Sequence, residues 1–294
     1  MGARVVLFGL LTSGLAAIAI VACGNNEFTG DAGDSGTDAD RSDVVALDGA
    51  ASDASAETGP PMFASCTQIV PAPYFCADFD EAAYVNAYQN GTLGTLFTAN
   101  VVTDGGMLGS TAGGESLPNV LSSFVPALAS NVAGTAAAIA PLTATGLRQH
   151  YRLDLDFRIE DLGSTAAGSA ISLFSLKLYY SGGPEIIYYR IAVEDSQLDL
   201  GIGSASFSNY VLGNIPPLKT WTHATLDVDF GSNHLDVTIS GIPTMTLSTA
   251  ASYLFDEPTI SLGVVSPGGS DSVKVGFDNV TLTVDDATDA GDGG

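Results

Sequence analysis

Apolar and polar residues alternate most cleanly after Gly146. Tyr151, Leu153, Leu155, Phe157 and Ile159 are interleaved with Arg152, Asp154, Asp156 and Arg158. Period-two alternation marks a strand with one dry face and one solvated face. Residues 173–180 and 186–193 repeat the pattern around Ser181-Gly182-Gly183-Pro184-Glu185, the signature of a β-hairpin. Residues 197–203 predict another strand with Leu198, Leu200 and Ile202 inward, and 221–230, 235–240, 259–264 and 273–284 predict four more. Upstream, 74–80 reads as a first strand, and 101–108 as a strand, a glycine turn and a second strand. Residues 110–146 are rich in small residues and carry Pro118, Pro126 and Pro141, which predicts loops and weak strands. No stretch has a long helical period. The expected architecture is an all-β sandwich.

Two regions break the alternation. Residues 5–19 form an apolar run behind Arg4, ending in Ile20-Val21-Ala22-Cys23-Gly24. The run is too short for a spanning helix and has a small-residue exit, so 1–22 reads as a signal peptide. The exit resembles the lipobox of bacterial lipoproteins, which implies acylation of Cys23, anchoring to a membrane and a place in the cell envelope. Gly24 rather than Asp follows the cysteine, and the resemblance then favours the outer membrane. Residues 23–62 repeat Asp, Gly, Ser, Thr and Ala, too polar to offset the entropy of ordering, and read as a disordered tether. The expected division is completed by a domain at 63–284 and an acidic tail at 285–294.

Charge narrows the partners. The chain has 33 acidic residues against 9 Lys and Arg, a formal charge of −24. That balance excludes nucleic acid as a partner. Of the three cysteines, Cys23 is assigned to lipid, which leaves Cys66 and Cys76 to form a disulfide in an oxidising compartment.

The order of motifs resembles the concanavalin A-like lectin and glucanase group, including laminin G-like modules. The residues that carry the resemblance are Trp221-Thr-His-Ala-Thr-Leu-Asp-Val-Asp229, Leu235-Asp-Val-Thr-Ile-Ser-Gly241 and Val275-Gly-Phe-Asp-Asn-Val-Thr-Leu282. It implies a jelly roll of two antiparallel sheets whose closing strand, bearing Phe-Asp-Asn-Val, returns beside the first. It also implies a calcium ion where those strands meet, held by some of Asp78, Asp80 and Asp278. The other reading of Asp278-Asn279 is a shaped strand edge. Fold signatures of this kind transfer no activity.

No catalytic set emerges. The paired-carboxylate strand of glucanases is missing, and Arg152 and Arg158 share the face of Asp154, Asp156 and Glu160, which keeps those aspartates ionised. His150, His223 and His234 are scattered along the chain and read as surface or strand-edge residues. The hairpin is more suggestive. Its wet parity carries Lys177, Tyr179, Tyr188 and Arg190, joined by Asp199, Asp227 and Asp236 from later strands. Rings that stack on sugar C–H faces, beside charged groups that bond hydroxyls, would bind a glycan. The expected function is therefore a lipid-anchored, non-catalytic polysaccharide-binding domain. The alternatives are an adhesion or structural protein that binds another envelope protein, and, further off, a glycoside hydrolase.

Overall fold

Sixteen strands and no helix make up the regular structure among the described residues of the computed structural model. The structure describes Cys66, 69–70 and most of 72–285, leaving out 80–91, 94–95, 103–104, 113–118, 143–145, 165–168, 184–185, 250–253 and the single positions 71, 131, 181 and 205. Cys23, the stretch 23–62, Asp80 and the tail beyond Asp285 lie outside the described residues.

In chain order the strands begin with β1 (Phe75–Ala77), β2 (Thr92–Leu93), β3 (Phe97–Val101), β4 (Met107–Ala112), β5 (Asn119–Val125) and β6 (Gly134–Pro141). They continue with β7 (His150–Leu162), β8 (Ile171–Tyr179), β9 (Ile186–Glu194), β10 (Gln197–Gly203) and β11 (Phe207–Asn214). The last five are β12 (Thr222–Asp229), β13 (His234–Ile239), β14 (Ile242–Ser248), β15 (Glu257–Ser266) and β16 (Val273–Asp285). The first sheet runs β14-β13-β12-β7-β16-β5-β4, with β1 also on β16, and the second runs β11-β10-β9-β8-β15-β6-β3-β2. The chain crosses between sheets at β1–β2, β3–β4, β5–β6, β6–β7, β7–β8, β11–β12, β14–β15 and β15–β16. This interleaving is the expected jelly-roll sandwich.

The alternation of the sequence sets the inner faces. Tyr151, Leu153, Leu155 and Phe157 of β7 are buried against Phe174, Leu176 and Leu178 of β8. The rings of Phe157 and Phe174 meet across the sheets at 5.6 Å. Phe75 of β1 meets Phe97 of β3 edge-on at 5.6 Å, closing the core where the two sheets receive the start of the domain. The closing strand returns beside the first as the resemblance implied, with Phe75 opposite Leu282 and Ala77 opposite Val280. Cys66 and Cys76 are bonded as expected.

Two readings of the sequence are corrected, and a third, the strand-turn-strand at 101–108, is placed in the fold. The turn at 101–108 connects strands of different sheets, β3 and β4, with Gly105 at φ +77°. Residues 110–146 contain two well-buried inner strands, β5 and β6. β15 passes close to β6 at Gly263, where a Cβ would stand 2.2 Å from the Ala136 carbonyl oxygen. Ser123 of β5 crosses the gap, donating to the Ala136 carbonyl at 2.5 Å and accepting the Val264 N–H at 3.0 Å. Finally, β11 and β14 are edge strands whose half-exposed sequences lack a clear alternation.

Candidate functional site

The hairpin of β8 and β9 builds the outer face of the second sheet. Its register sets Lys177 opposite Tyr188 and Ser175 opposite Arg190. The only irregularity between the two strands lies near Ser172, far from the turn. Lys177, Tyr179, Tyr188 and Arg190 therefore share one face, and Tyr189 points into the core. The Lys177 ammonium stands 5.6 Å from the Tyr179 ring and 5.3 Å from the Tyr188 ring.

Phe207 of β11 completes the aromatic surface. Its ring lies 6.2 Å from Tyr188 in an edge contact and 4.2 Å from the Arg190 guanidinium. Gly201 of β10 makes room for both, since a Cβ there would come within 3.1 Å of the Phe207 ring and 3.2 Å of Arg190 Nε. Sequence reasoning missed Phe207 because its strand was not recognised. The signal was Gly201 and Gly203 on the wet parity of β10, since glycine within a strand marks a close approach.

Among the described residues two polar atoms of this face are buried without a hydrogen-bond partner, Arg190 Nε and Asp199 Oδ1. Burial holds the Arg190 guanidinium below its ordinary pKa. Burial, with Glu194 adding to it, pushes the Asp199 carboxyl up. The two feel each other's charge without forming an ion pair. A buried donor and a buried acceptor left open are costly unless something outside the chain bonds them.

Asp227 does not join this face. It lies on β12 of the first sheet, and Asp236 lies beside it on β13. The alternation assigned Asp227 to an outward parity correctly. It said nothing about which sheet, and the β11–β12 crossover moves both aspartates to the other side of the sandwich.

There the outer face of the first sheet gathers all three histidines, each on a carboxylate. His150 places Nε2 2.7 Å from Asp227 and Nδ1 2.8 Å from Asp285. The bond to Asp227, working against burial and aided by Asp285, lifts His150 to a pKa of about 9. His223 is held at about 9 by Asp154, 3.7 Å away, and by Asp156, which it bonds directly at 2.8 Å. Burial tends to raise the Asp154 carboxyl, but His223, Arg152 and Thr225 together bring it down to about 2. Arg152 and Asp154 are paired at 2.8 Å, Arg158 is paired with Glu160, and His234 bonds Asp236 at 2.7 Å. The Arg158 guanidinium lies 4.6 Å over the Trp221 ring. Trp221 in turn lines an open cleft of about 550 Å³ with Ile215, Pro216, Pro217, Ile242 and Pro243.

At the junction of β1 and β16, Asp278 is fully buried and accepts the Asn279 N–H at 2.9 Å, and Asp78 accepts the Cys66 N–H at 3.1 Å. Asn279 has φ +50° and keeps a buried Oδ1 without a partner. Among the described residues no three His, Cys, Asp or Glu side chains group as a metal site.

No protein-family model matches the chain, and no curated protein does. Solved structures that resemble it include a family GH16 protein of the Bacteroides ovatus mixed linkage glucan PUL, solved in complex with a product. It is 13% identical, with 71% of this chain and 99% of that chain covered and a TM-score of 0.47. The cellulose induced protein Cip1 is 14% identical over 64% of this chain and 91% of its own, with a TM-score of 0.46. The family 7 alginate lyase A1-II′ is 12% identical over 61% of this chain and 83% of its own, with a TM-score of 0.45. Similarities of this size do not extend to the chemistry of either face.

Proposed function

We propose that this protein binds polysaccharide without catalysis, through the outer face of the second sheet, and that a lipid on Cys23 holds it to the cell envelope. One observation carries the reading: Tyr179, Tyr188 and Phe207 share one outer face with Lys177 and Arg190 held against their rings. A sugar hydroxyl both accepts and donates, and a pyranose C–H face stacks on such rings. The reading without catalysis is supported by the first sheet. His150 and His223, at about 9, stay protonated at neutral pH, and Asp154, at about 2, stays ionised. General acid–base work needs a group poised near the working pH.

A glycan array probed with the full-length protein tests the proposal, followed by the Tyr188→Ala variant on each hit. Binding that Tyr188→Ala abolishes supports it. Binding that the variant leaves intact moves the site elsewhere, and an empty array removes the reading. Calcium at Asp78, Asp80 and Asp278 belongs to the same proposal, supported by the open Oδ1 of Asn279 at that junction. Its ligands would be carboxylate and amide oxygens, and a chelator that leaves the melting temperature unchanged excludes it. A protein partner is the second reading, favoured by Phe207, Tyr210 and Val211, all exposed on the edge strand β11.

A further inference from the structure

We infer that the glycan taken by this face is acidic, with a sugar carboxylate seated between Lys177 and Arg190. The inference rests on the polysaccharide reading above and adds the chemical class of the ligand.

The chain is crowded with carboxylates, 33 acidic residues to 9 basic. On the first sheet the cations are met accordingly: Arg152 by Asp154 and Asp227, Arg158 by Glu160. Lys177 and Arg190 are treated differently. They stand on adjacent strands at neighbouring cross-strand positions, Lys177 opposite Tyr188 and Arg190 opposite Ser175. Among the described residues neither forms an ion pair. Both rest on aromatic rings instead, Lys177 on Tyr179 and Tyr188, Arg190 on Phe207. A ring face attracts a cation through its quadrupole but does not neutralise it. Two positive charges are thus kept side by side, half-buried, with no counter-charge in contact, Glu194 and Asp199 acting on Arg190 only at longer range.

A neutral sugar would leave Lys177 with no counter-charge and Arg190 with only the longer-range ones of Glu194 and Asp199. A carboxylate matches both cations, and its two oxygens suit the guanidinium fork better than any hydroxyl. Asp199 sets a second requirement. Its open Oδ1 needs a donor, which a bare carboxylate cannot supply. A hexuronate residue meets all three demands on one ring: a carboxylate for the cations, a hydroxyl for Asp199 and a C–H face for the tyrosines. Phosphate and sulfate esters would also engage the guanidinium edge, so a sulfated probe is included as a competing outcome.

The test uses the full-length protein and calorimetry. The probes are hexasaccharides of galacturonate, mannuronate and guluronate, and a glucuronoxylan fragment. Each is paired with its carboxyl-reduced, neutral counterpart, and a sulfated neutral hexasaccharide is added. The expected result is that at least one acid form binds about tenfold or more tightly than its reduced counterpart, and that added salt narrows the difference. Lys177→Met, which keeps the aliphatic stem, should erase the preference with an unchanged circular dichroism spectrum, and Lys177→Arg should keep it. Equal affinity for acid and reduced forms overturns the acidic assignment and leaves the polysaccharide reading standing. So does binding of neutral or sulfated probes alone, or a preference that survives Lys177→Met. If no glycan of the array or of this panel binds, both readings fail together.

Discussion

His150 and Asp227 meet at 2.7 Å across β7 and β12, although 77 residues separate them in the chain. The register does not pair them directly: Asp227 is opposite Arg152, and His150 is opposite Asp229. The contact is diagonal, and it makes the folded state prefer a charged imidazole.

That preference sets a pH dependence. Folding raises His150 and His223 from about 6.5 to about 9. A raised histidine contributes its stability in full below about pH 6.5, and the contribution is lost as pH rises through about 9. The melting temperature should therefore fall by a few degrees between these values. In Asp227→Asn the titration midpoint of His150, followed by NMR, should drop back towards 6.5, and the alkaline loss of stability should shrink. A midpoint that stays at 9 would assign the shift to Asp285 alone.

Tyr188 and Tyr189 are neighbours with opposite duties. Tyr189 is 2% exposed, and its phenol is raised by burial. Tyr189→Ala should cost about 3–5 kcal/mol by analogy with other large aromatic truncations. Tyr188→Ala removes mainly a cross-strand contact with Lys177 and Phe207, and should cost about 1 kcal/mol or less. Urea unfolding of the two variants in parallel measures the difference. Similar costs would mean that Tyr188 belongs to the core and is unsuited to stack on a sugar.

Ser123 is a single hydroxyl serving two strands of the opposite sheet. Ser123→Ala leaves the buried Val264 N–H without its acceptor and the Ala136 carbonyl without a donor. The expected cost is about 1–3 kcal/mol, large for the loss of one oxygen atom. Ser123→Cys, which keeps a weak donor and acceptor, should recover part of it. A neutral Ser123→Ala in chemical denaturation would show that water takes over both bonds.

Gly263 combines φ +134° with a Cβ position 2.2 Å from a backbone oxygen. Gly263→Ala should be more damaging than a strained φ alone, which costs about 1–3 kcal/mol, because β6 must also shift. Thermal unfolding should show a loss well beyond that of Gly109→Ala, where a Cβ meets nothing within 4 Å.

The fold was legible where burial is one-sided. β7, β8, β12 and β13 alternate in burial, and β9, β10, β15 and β16 carry apolar runs between turn residues, so all eight were located to within a few residues. The pattern failed for β5 and β6, whose small Ala and Ser residues read as loop composition although both strands are buried. Half of the candidate site was legible for the same reason. The parity of Lys177, Tyr179, Tyr188 and Arg190 follows from local spacing, which the hairpin preserves. Parity carries no information about which sheet a distant strand joins. That is why Asp227 was assigned to the wrong face, and why three histidines scattered in the sequence lie on a single outer face of the first sheet. Phe207 needed the same long-range information, since its strand is an edge and has no buried stripe to announce it.

The bridge between Cys66 and Cys76 also fixes how force enters the sandwich. β1 is only three residues long, and its ladder to β16 sets Cys76 opposite Thr281. Without the bridge, a pull from the N-terminal side would reach the ladder at Phe75 and peel its few hydrogen bonds one at a time. With it, tension arriving at Cys66 passes through the sulfurs to Cys76, so the ladder is loaded from its middle and resists as a unit. Leu282, opposite Phe75, lies three residues from the end of β16, so chain entry and exit are neighbours. A load applied between the two ends is taken up locally, by β1 and β16, and the hairpin of β8 and β9 in the other sheet is spared it.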